Sequence, residues 1–254
     1  MGIVSVACTN ILGLSFQMAD ISHPLGNYRV AIYATANQDW AQVARHVKSE
    51  GGVLCGIRRN LRNEWSVRQF GSYENVLDSY GHDNAPEYPR GKRVSEKGGL
   101  VLFRWHEVMS REGFDGDKRP VVNVSWYQAR AFTLTAGEIY LLSDGEWEHA
   151  AEDVSPLVKP DGKKLVHCSI GSDETTTVDV DAPGFHVQKN GLMHMIGNVW
   201  EWTDENSTQE RKYGFRGGSY CSYRPDSLRA AFRNDSRPDD RFDDIGFRVG
   251  ASAP

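Results

Sequence analysis

The chain has 254 residues, of which 39% are hydrophobic, 25% charged and 11% aromatic, a globular composition that leaves out disordered and fibrous classes. Chains of this length bury roughly 70% of their unfolded surface, enough for a core without covalent staples. The net charge of −5, from 29 Lys+Arg against 34 Asp+Glu, offers no electrostatic footprint for nucleic acid or for an anionic membrane.

The apolar stretch from Met1 to Met18 is broken by Ser5, Thr9, Asn10 and Ser15, with no Lys or Arg before Arg29. It does not read as a signal peptide, and the expectation is a chain without membrane insertion, cytoplasmic or virion-associated. Tyr28 to Tyr33 reads as a strand. An i, i+3, i+4, i+7 pattern at Trp40, Val43, Ala44 and Val47 then predicts a helix, with Thr35 and Asn37 as caps. Across residues 51–99 Gly, Asn, Arg and Pro are scattered without period, which predicts a long irregular insertion. Beyond Pro120, Ser125 is a good N-cap for a helix carrying Trp126, Ala129, Phe132 and Thr133 and stopped by Gly137. Ser143 opens another, with Glu146 completing a capping box. Residues 159–189 read as polar loop with one short strand near Thr175–Val180. Later, Trp200 and Trp202 alternate with Glu201, a strand that buries large rings while the carboxylate faces the other way. Gly246-Phe247-Arg248-Val249 ends the pattern as a strand. Helices early and strands late predict a single α+β domain over residues 1–254. Cys8, Cys55, Cys168 and Cys221 lie far apart without a C-x-x-C pair and read as free thiols.

Five motifs carry a resemblance: PVVNVSW at 120–126, LLSDGEWEHAA at 141–151, GNVWEW at 197–202, RGGSY at 216–220 and IGFRV at 245–249. In this order they resemble the formylglycine-generating-enzyme (sulfatase-modifying-factor) superfamily, and the resemblance implies a C-type-lectin-like fold across about residues 28–250. The oxidase members of that family set two cysteines five positions apart after RGGS, because copper(I) prefers thiolates. Here Cys221 has Arg216 five residues upstream and Asp226 five downstream, so no copper cofactor is expected. No histidine has another four residues on, so an iron-binding H-x-x-x-H is missing. Family members that bind calcium place Asn or Asp three residues before the Gly of GNVWEW. This chain has His194 there, so a metal at Gly197, Val199 and Glu201 is not expected, and His194 reads as a hydrogen-bonded structural residue. No nucleophile elbow, P-loop or G-x-G-x-x-G is present, and Ser219 reads as a turn residue.

The tail has a compositional anomaly. Lys, Gln, Glu, Met and Trp occur 9, 7, 15, 5 and 7 times in the chain, and none falls in the last 40 residues. At the density of the preceding residues about eight would be expected there. Arginine is tolerated, at 216, 224, 229, 233, 237, 241 and 248. The missing set is the one that cannot arise when the adenines of AAY asparagine codons are randomised. This resembles the variable region of diversity-generating retroelement variable proteins, a group with the same lectin-like fold, and places that region at about residues 216–249.

The resemblance includes the frame RGGS, Leu228 to Ala231, Arg233, Pro238-Asp239, Arg241 and IGFRV. It implies a ligand-binding set of Tyr220, Cys221, Ser222, Tyr223, Arg224, Asp226, Ser227, Phe232, Asn234, Asp235, Ser236, Asp240, Phe242, Asp243 and Asp244. Such a site works as a paratope. Tyr and Phe give rigid contact area, and Ser, Asn and Asp give adaptable hydrogen bonds. Tyr220, Tyr223, Phe232 and Phe242 are the candidate anchors, each of which the sequence leaves open as exposed or core. Arg229, Arg233, Arg241 and Arg248 are expected to pair with Asp239, Asp204 or Glu201 beneath the surface. The cluster Asp239, Asp240, Asp243 and Asp244 is expected to be a solvated face neutralised by neighbouring arginines. The expected function is a non-catalytic, receptor-type binding protein for an unknown protein target. The alternatives are a formylglycine-generating-type oxidase or degenerate homologue, and an accessory structural domain with no exposed aromatic cluster at 220–244.

Overall fold

The computed structural model describes residues 6–9, 12, 14–24, 26–52, 54–60, 62, 64–89, 95–97, 99–105, 111–171, 173–207 and 212–253. Val6–Thr9 (β1), Ser15–Ile21 (β2) and Tyr28–Ala31 (β3) form an antiparallel meander. The signal-peptide reading falls partly on residues 1–5, and the thiol reading on the side chain of Cys8, both outside the described set. β3 ends at Ala31, not Tyr33, because the chain then turns to other partners: the Ile32 carbonyl accepts from Met193 N–H, and Thr35 N–H donates to the Phe247 carbonyl.

Asn37–Ser49 (α1) buries Trp40, Val43 and Val47, as their spacing predicts. Its cap differs from the expected Thr35 or Asn37. The Asp39 carboxylate accepts the Ala36 N–H at 3.0 Å, while the Asn37 side chain donates to the carbonyls of Phe114 and Gly116.

The expected irregular insertion at 51–99 is instead regular. It holds Leu54–Arg59 (β4), Trp65–Phe70 (β5), Tyr73–Tyr80 (α2) and Ser95–Lys97 (β6), and with Leu100–Phe103 (β7) makes a sheet in the order β5-β4-β7-β6. In β4 and β7 no apolar alternation can be read because both of their faces are covered. Leu54, Leu100 and Leu102 pack with Phe70 and Val76 on one side, and Cys55, Ile57, Val101 and Phe103 join the main core on the other.

Trp126–Ala136 (α3) and Asp144–Ala150 (α4) begin at the expected caps Ser125 and Ser143; Glu146 closes the capping box that the sequence announces, and Gln128 closes one at Ser125 that the sequence reading did not include. Between them lies the two-residue strand Tyr140–Leu141 (β8). No strand forms at Thr175–Val180. That segment is stitched by side chains: Asn198 bonds both the N–H and the carbonyl of Val178, at 3.0 and 3.2 Å, and the Thr177 hydroxyl donates to Gly113.

Trp200–Ser207 (β9), Lys212–Arg216 (β10), Arg233–Ser236 (β11) and Ile245–Phe247 (β12) form the sheet β11-β10-β9-β12, with β12 parallel to β9. The strand expected at Gly246–Val249 is two strands, since Val249–Ser252 (β13) inserts between β3 and β8 in the first sheet. Strands therefore stand at both ends of the chain, which corrects the expected order of helices early and strands late while keeping the α+β class.

One face of the β9 sheet carries Trp200, Trp202, Phe215, Ile245 and Phe247 into the main core with Trp126. The carboxylate between the rings faces the other way, into a second buried layer. Glu201 is fully buried, accepting from the Arg248 guanidinium and from Trp147 Nε1 at 2.7 Å. Arg248 also donates to the carbonyls of Ala31, Ile32 and Met193, so the break between β12 and β13 is fixed by one saturated guanidinium.

Candidate functional site

The tail leaves the sheet after β10, returns to its edge as β11 beside β10, leaves again and re-enters as β12. Its exit demands glycine. Gly217 has φ +99° and Gly218 φ +74°, and a Cβ there would lie 2.4 Å from the Met195 carbonyl oxygen and 2.5 Å from Leu228 Cδ2. On either side of this turn, arginines bind into the protein. Arg216 sits 3.3 Å from Asp144 and 3.0 Å from Glu148, and Arg233 Nε pairs with the same Asp144, which also accepts from the Thr203 hydroxyl. Asp144 is a hub that the sequence reading missed. Its only signal was its place in the first turn of α4, which explains a carboxylate by the helix dipole alone.

These anchors divide the ligand-binding set. Cys221, Tyr223, Arg224, Asp226, Phe232, Asn234 and Phe242 are exposed, and Ser227, Asp235, Ser236, Asp240, Asp243 and Asp244 are half-buried. Tyr220 and Ser222 are corrections, for both are buried. The Tyr220 ring packs 5.8 Å from Phe114 in a cluster with Ala34, Val122 and Val199, and its carbonyl accepts from the Ser169 hydroxyl. The Ser222 hydroxyl accepts from Ser219 N–H, and its carbonyl from Ser169 N–H. Both residues extend the RGGS frame.

Of the four candidate anchors, Tyr223 is 73% exposed, Phe242 43% and Phe232 36%; with Tyr88 and Val187 they are the exposed large hydrophobics among the described residues. Phe232 is rooted on the core through Trp200, 6.0 Å between ring centroids. Around the aromatics the charges pair loosely. Arg111 meets Asp243 at 3.1 Å, and Arg237 lies 3.7 and 3.8 Å from Asp239 and Asp240, exposed contacts worth little to stability. Of the frame arginines, Arg248 takes the expected Glu201, but Arg233 takes Asp144 and Asp235, and Asp204 pairs with Arg130. Burial pushes Arg241 down to about 10, opposed by Asp239, and its Nε has no hydrogen-bond partner among the described residues.

Cys221 Sγ lies 3.3 Å from the Ser219 hydroxyl and 3.3 Å from Asp244 Oδ2. Burial, reinforced by the Asp244 charge against the Ser219 hydrogen bond, pushes the thiol up to about 11, so it is protonated at neutral pH. Arg216 is committed to Asp144 and Glu148, and Asp226 is an exposed carboxylate. A single protonated thiol among oxygen donors does not fit copper(I), which takes paired thiolates. Calcium fares no better near Gly197. Glu201 is consumed by Arg248 and Trp147. His194 is buried beside Phe185, and burial with the Arg248 charge depresses its pKa to about 3, leaving a neutral imidazole. The ring is hydrogen-bonded to the Ala182 backbone, in keeping with the expected structural role, while its Nε2 has no hydrogen-bond partner among the described residues.

No described helix is long and apolar enough to cross a membrane. The chain is similar to the inactive C-alpha-formylglycine-generating enzyme 2 of Bos taurus, 30% identical over 53% of this chain and 50% of that protein. It is also similar to the formylglycine-generating enzyme of Mus musculus, 27% identical over 52% of this chain and 44% of that one. It thus spans about half the length of these curated relatives, or less. Among solved structures it resembles Treponema denticola variable protein 1 with TM-score 0.55 and 16% identity, covering 95% of this chain and 96% of that one. PvdO from Pseudomonas aeruginosa is similar with TM-score 0.54 and 16% identity, over 89% and 81%. These likenesses and the mixed sheets and helices bear out the C-type-lectin-like fold. Residues 24–253 match the family model of the sulfatase-modifying factor enzyme 1-like domain, and the chain belongs to that family.

Proposed function

We propose that this chain is a non-catalytic ligand-binding protein of the diversity-generating retroelement type, whose segment 220–244 displays side chains to a protein target. The observation that carries this is the concentration of exposed aromatics. Tyr223, Phe232 and Phe242 stand out to solvent from a backbone pinned at Gly217, Gly218, Arg216 and Arg233. Large exposed apolar side chains held on a rigid support are what a binding surface needs and what a merely structural domain avoids. The fold shared with a Treponema variable protein supports the same reading. Against the oxidase alternative stand the missing second thiol and the protonated Cys221, and one relative is itself named inactive.

The test is sequencing of sibling chains and the neighbouring DNA. The expected result is substitutions confined to the exposed and half-buried positions between Cys221 and Asp244, next to a near-identical repeat differing mainly at adenines. Substitutions spread evenly, or striking Tyr220 and Arg216 as often as Tyr223, would sink the proposal. Incubation with copper(I) and a C-x-P-x-R peptide is expected to give no turnover, and turnover dependent on Cys221 would restore the enzyme.

A further inference from the structure

Beside the displayed segment lies an open groove of about 520 Å³, between the loop 153–158 and the 3-10 turn Pro225–Leu228. Its apolar walls are Val154, Leu157, Val158, Ile170, Pro225 and Leu228. The walls are held apart by fixed bonds. Ala230 N–H donates to the Asp153 carboxylate at 2.6 Å, Leu165 N–H to the Leu157 carbonyl at 2.9 Å, and Ser169 N–H to the Ser222 carbonyl at 2.9 Å. Leu228 is buried in a core cluster against which Val154, Leu157 and Ile170 pack. The groove is therefore preformed, and its size is that of a small ligand site.

Three charged groups line it: Asp153, Asp226 and Arg229. Asp226 and Arg229 are exposed, and neither has an ion-pair partner among the described residues. Two carboxylates against one guanidinium leave the groove negative. It opens two residues beyond the exposed Tyr223, so it continues the displayed surface.

We propose that this groove seats one apolar side chain of the protein target with a basic residue next to it, and that Asp226 sets that charge preference. The inference rests on the display reading and adds to it a division of labour. The apolar walls come mostly from outside the displayed set, so the seat is constant. Asp226 is a candidate displayed position at its rim, so the charge selected beside the apolar anchor changes from one sibling to the next. Such an arrangement gives a common anchor and a variable specificity.

The test is a nuclear magnetic resonance titration of the full chain with N-acetyl-leucyl-lysine amide and N-acetyl-leucyl-glutamate amide. Expected are shifts at Leu157, Val158, Ile170 and Leu228, with the lysine peptide bound about fivefold more tightly. In Asp226→Lys, an exposed substitution that leaves the fold intact, the preference reverses. Ile170→Glu abolishes binding of both. Shifts outside the groove, equal affinities, or an unchanged preference in Asp226→Lys would each overturn the proposal. The two readings fail separately. Tyr223→Ala is expected to leave dipeptide binding unchanged. Siblings invariant at 220–244 would remove the display reading without touching the dipeptide result.

Discussion

Two tyrosines three positions apart show how little a residue's type says about its task. Tyr220 is 5% exposed and packed on Phe114, whereas Tyr223 is 73% exposed. Tyr220→Ala is expected to destabilise by about 3 kcal/mol through the cavity it leaves, and Tyr223→Ala by less than about 0.5 kcal/mol. Urea midpoints decide between them, and equal losses would mean that Tyr223 is core. Asp39 gives a residue-scale prediction in pH. Burial raises its pKa from 3.8 to about 6 although its carboxylate caps Ala36 N–H. A raised folded pKa means that the native state binds the proton more tightly. The contribution is thus fully present below about pH 4 and is lost as pH rises through 6, on the order of 3 kcal/mol in all. Asp39→Asn keeps an acceptor for the cap and removes the buried charge. It should flatten the stability profile between these pH values and leave the variant at least as stable at neutral pH. A profile as steep as the parent's would assign the effect elsewhere.

At the scale of elements, the turn after β10 is where shape is fixed most tightly. Gly217→Ala adds both a left-handed strain and a Cβ 2.4 Å from the Met195 carbonyl, a backbone atom that cannot swing away. Gly162 has a similar φ of +82° with nothing within 4 Å, so Gly162→Ala carries the strain alone. Chemical denaturation should show a loss of roughly 1 kcal/mol at Gly162 and of about 3 kcal/mol or more at Gly217. Equal losses would mean that the contact relaxes. The same contrast explains what could be read from the chain beforehand. Helices α3 and α4 were legible because their starts are local signals, an N-cap serine ahead of an apolar stripe at Ser125 and a capping box complete within four residues at Ser143. The sheet β4–β7 was not, because its central strands β4 and β7, covered on both sides, lack polar alternation, and the scattered Gly and Asn of its turns outweighed the short alternation of β5. The tail's anomaly was legible in composition, but the burial of Tyr220 and Ser222 was not, since it depends on Ser169 and Phe114, more than 45 residues away in sequence. Asp144 was hidden for the same reason, its partners Arg216 and Arg233 being tertiary.

For the molecule as a whole, the tail is held on a polar core that joins distant parts of the chain. Arg248 bonds Glu201 of β9, the carbonyls of Ala31 and Ile32 after the N-terminal meander, and Met193 ahead of the GNVWEW segment. Neither partner of the Arg248–Glu201 pair is exposed, so each charge relies on the other for solvation. Arg248→Met removes one partner and leaves a buried carboxylate with Trp147 as its one side-chain donor among the described residues, and it takes the guanidinium's hydrogen bonds from the Ala31, Ile32 and Met193 carbonyls. The expected loss is about 3 to 5 kcal/mol, a large share of the stability of a typical domain. Glu201→Gln alone is expected to be similarly harmful, because it strands the guanidinium. Combining Arg248→Met with Glu201→Met eliminates both charges and should recover part of the loss, so the two sites couple strongly in a double-mutant cycle. Because the partners of Arg248 lie on β3, on β9 of a second sheet and in the loop at Met193, the single variant should unfold in one transition at lower denaturant. Independent melting of the N-terminal meander would show that the ion pair does not hold the ends of the chain together.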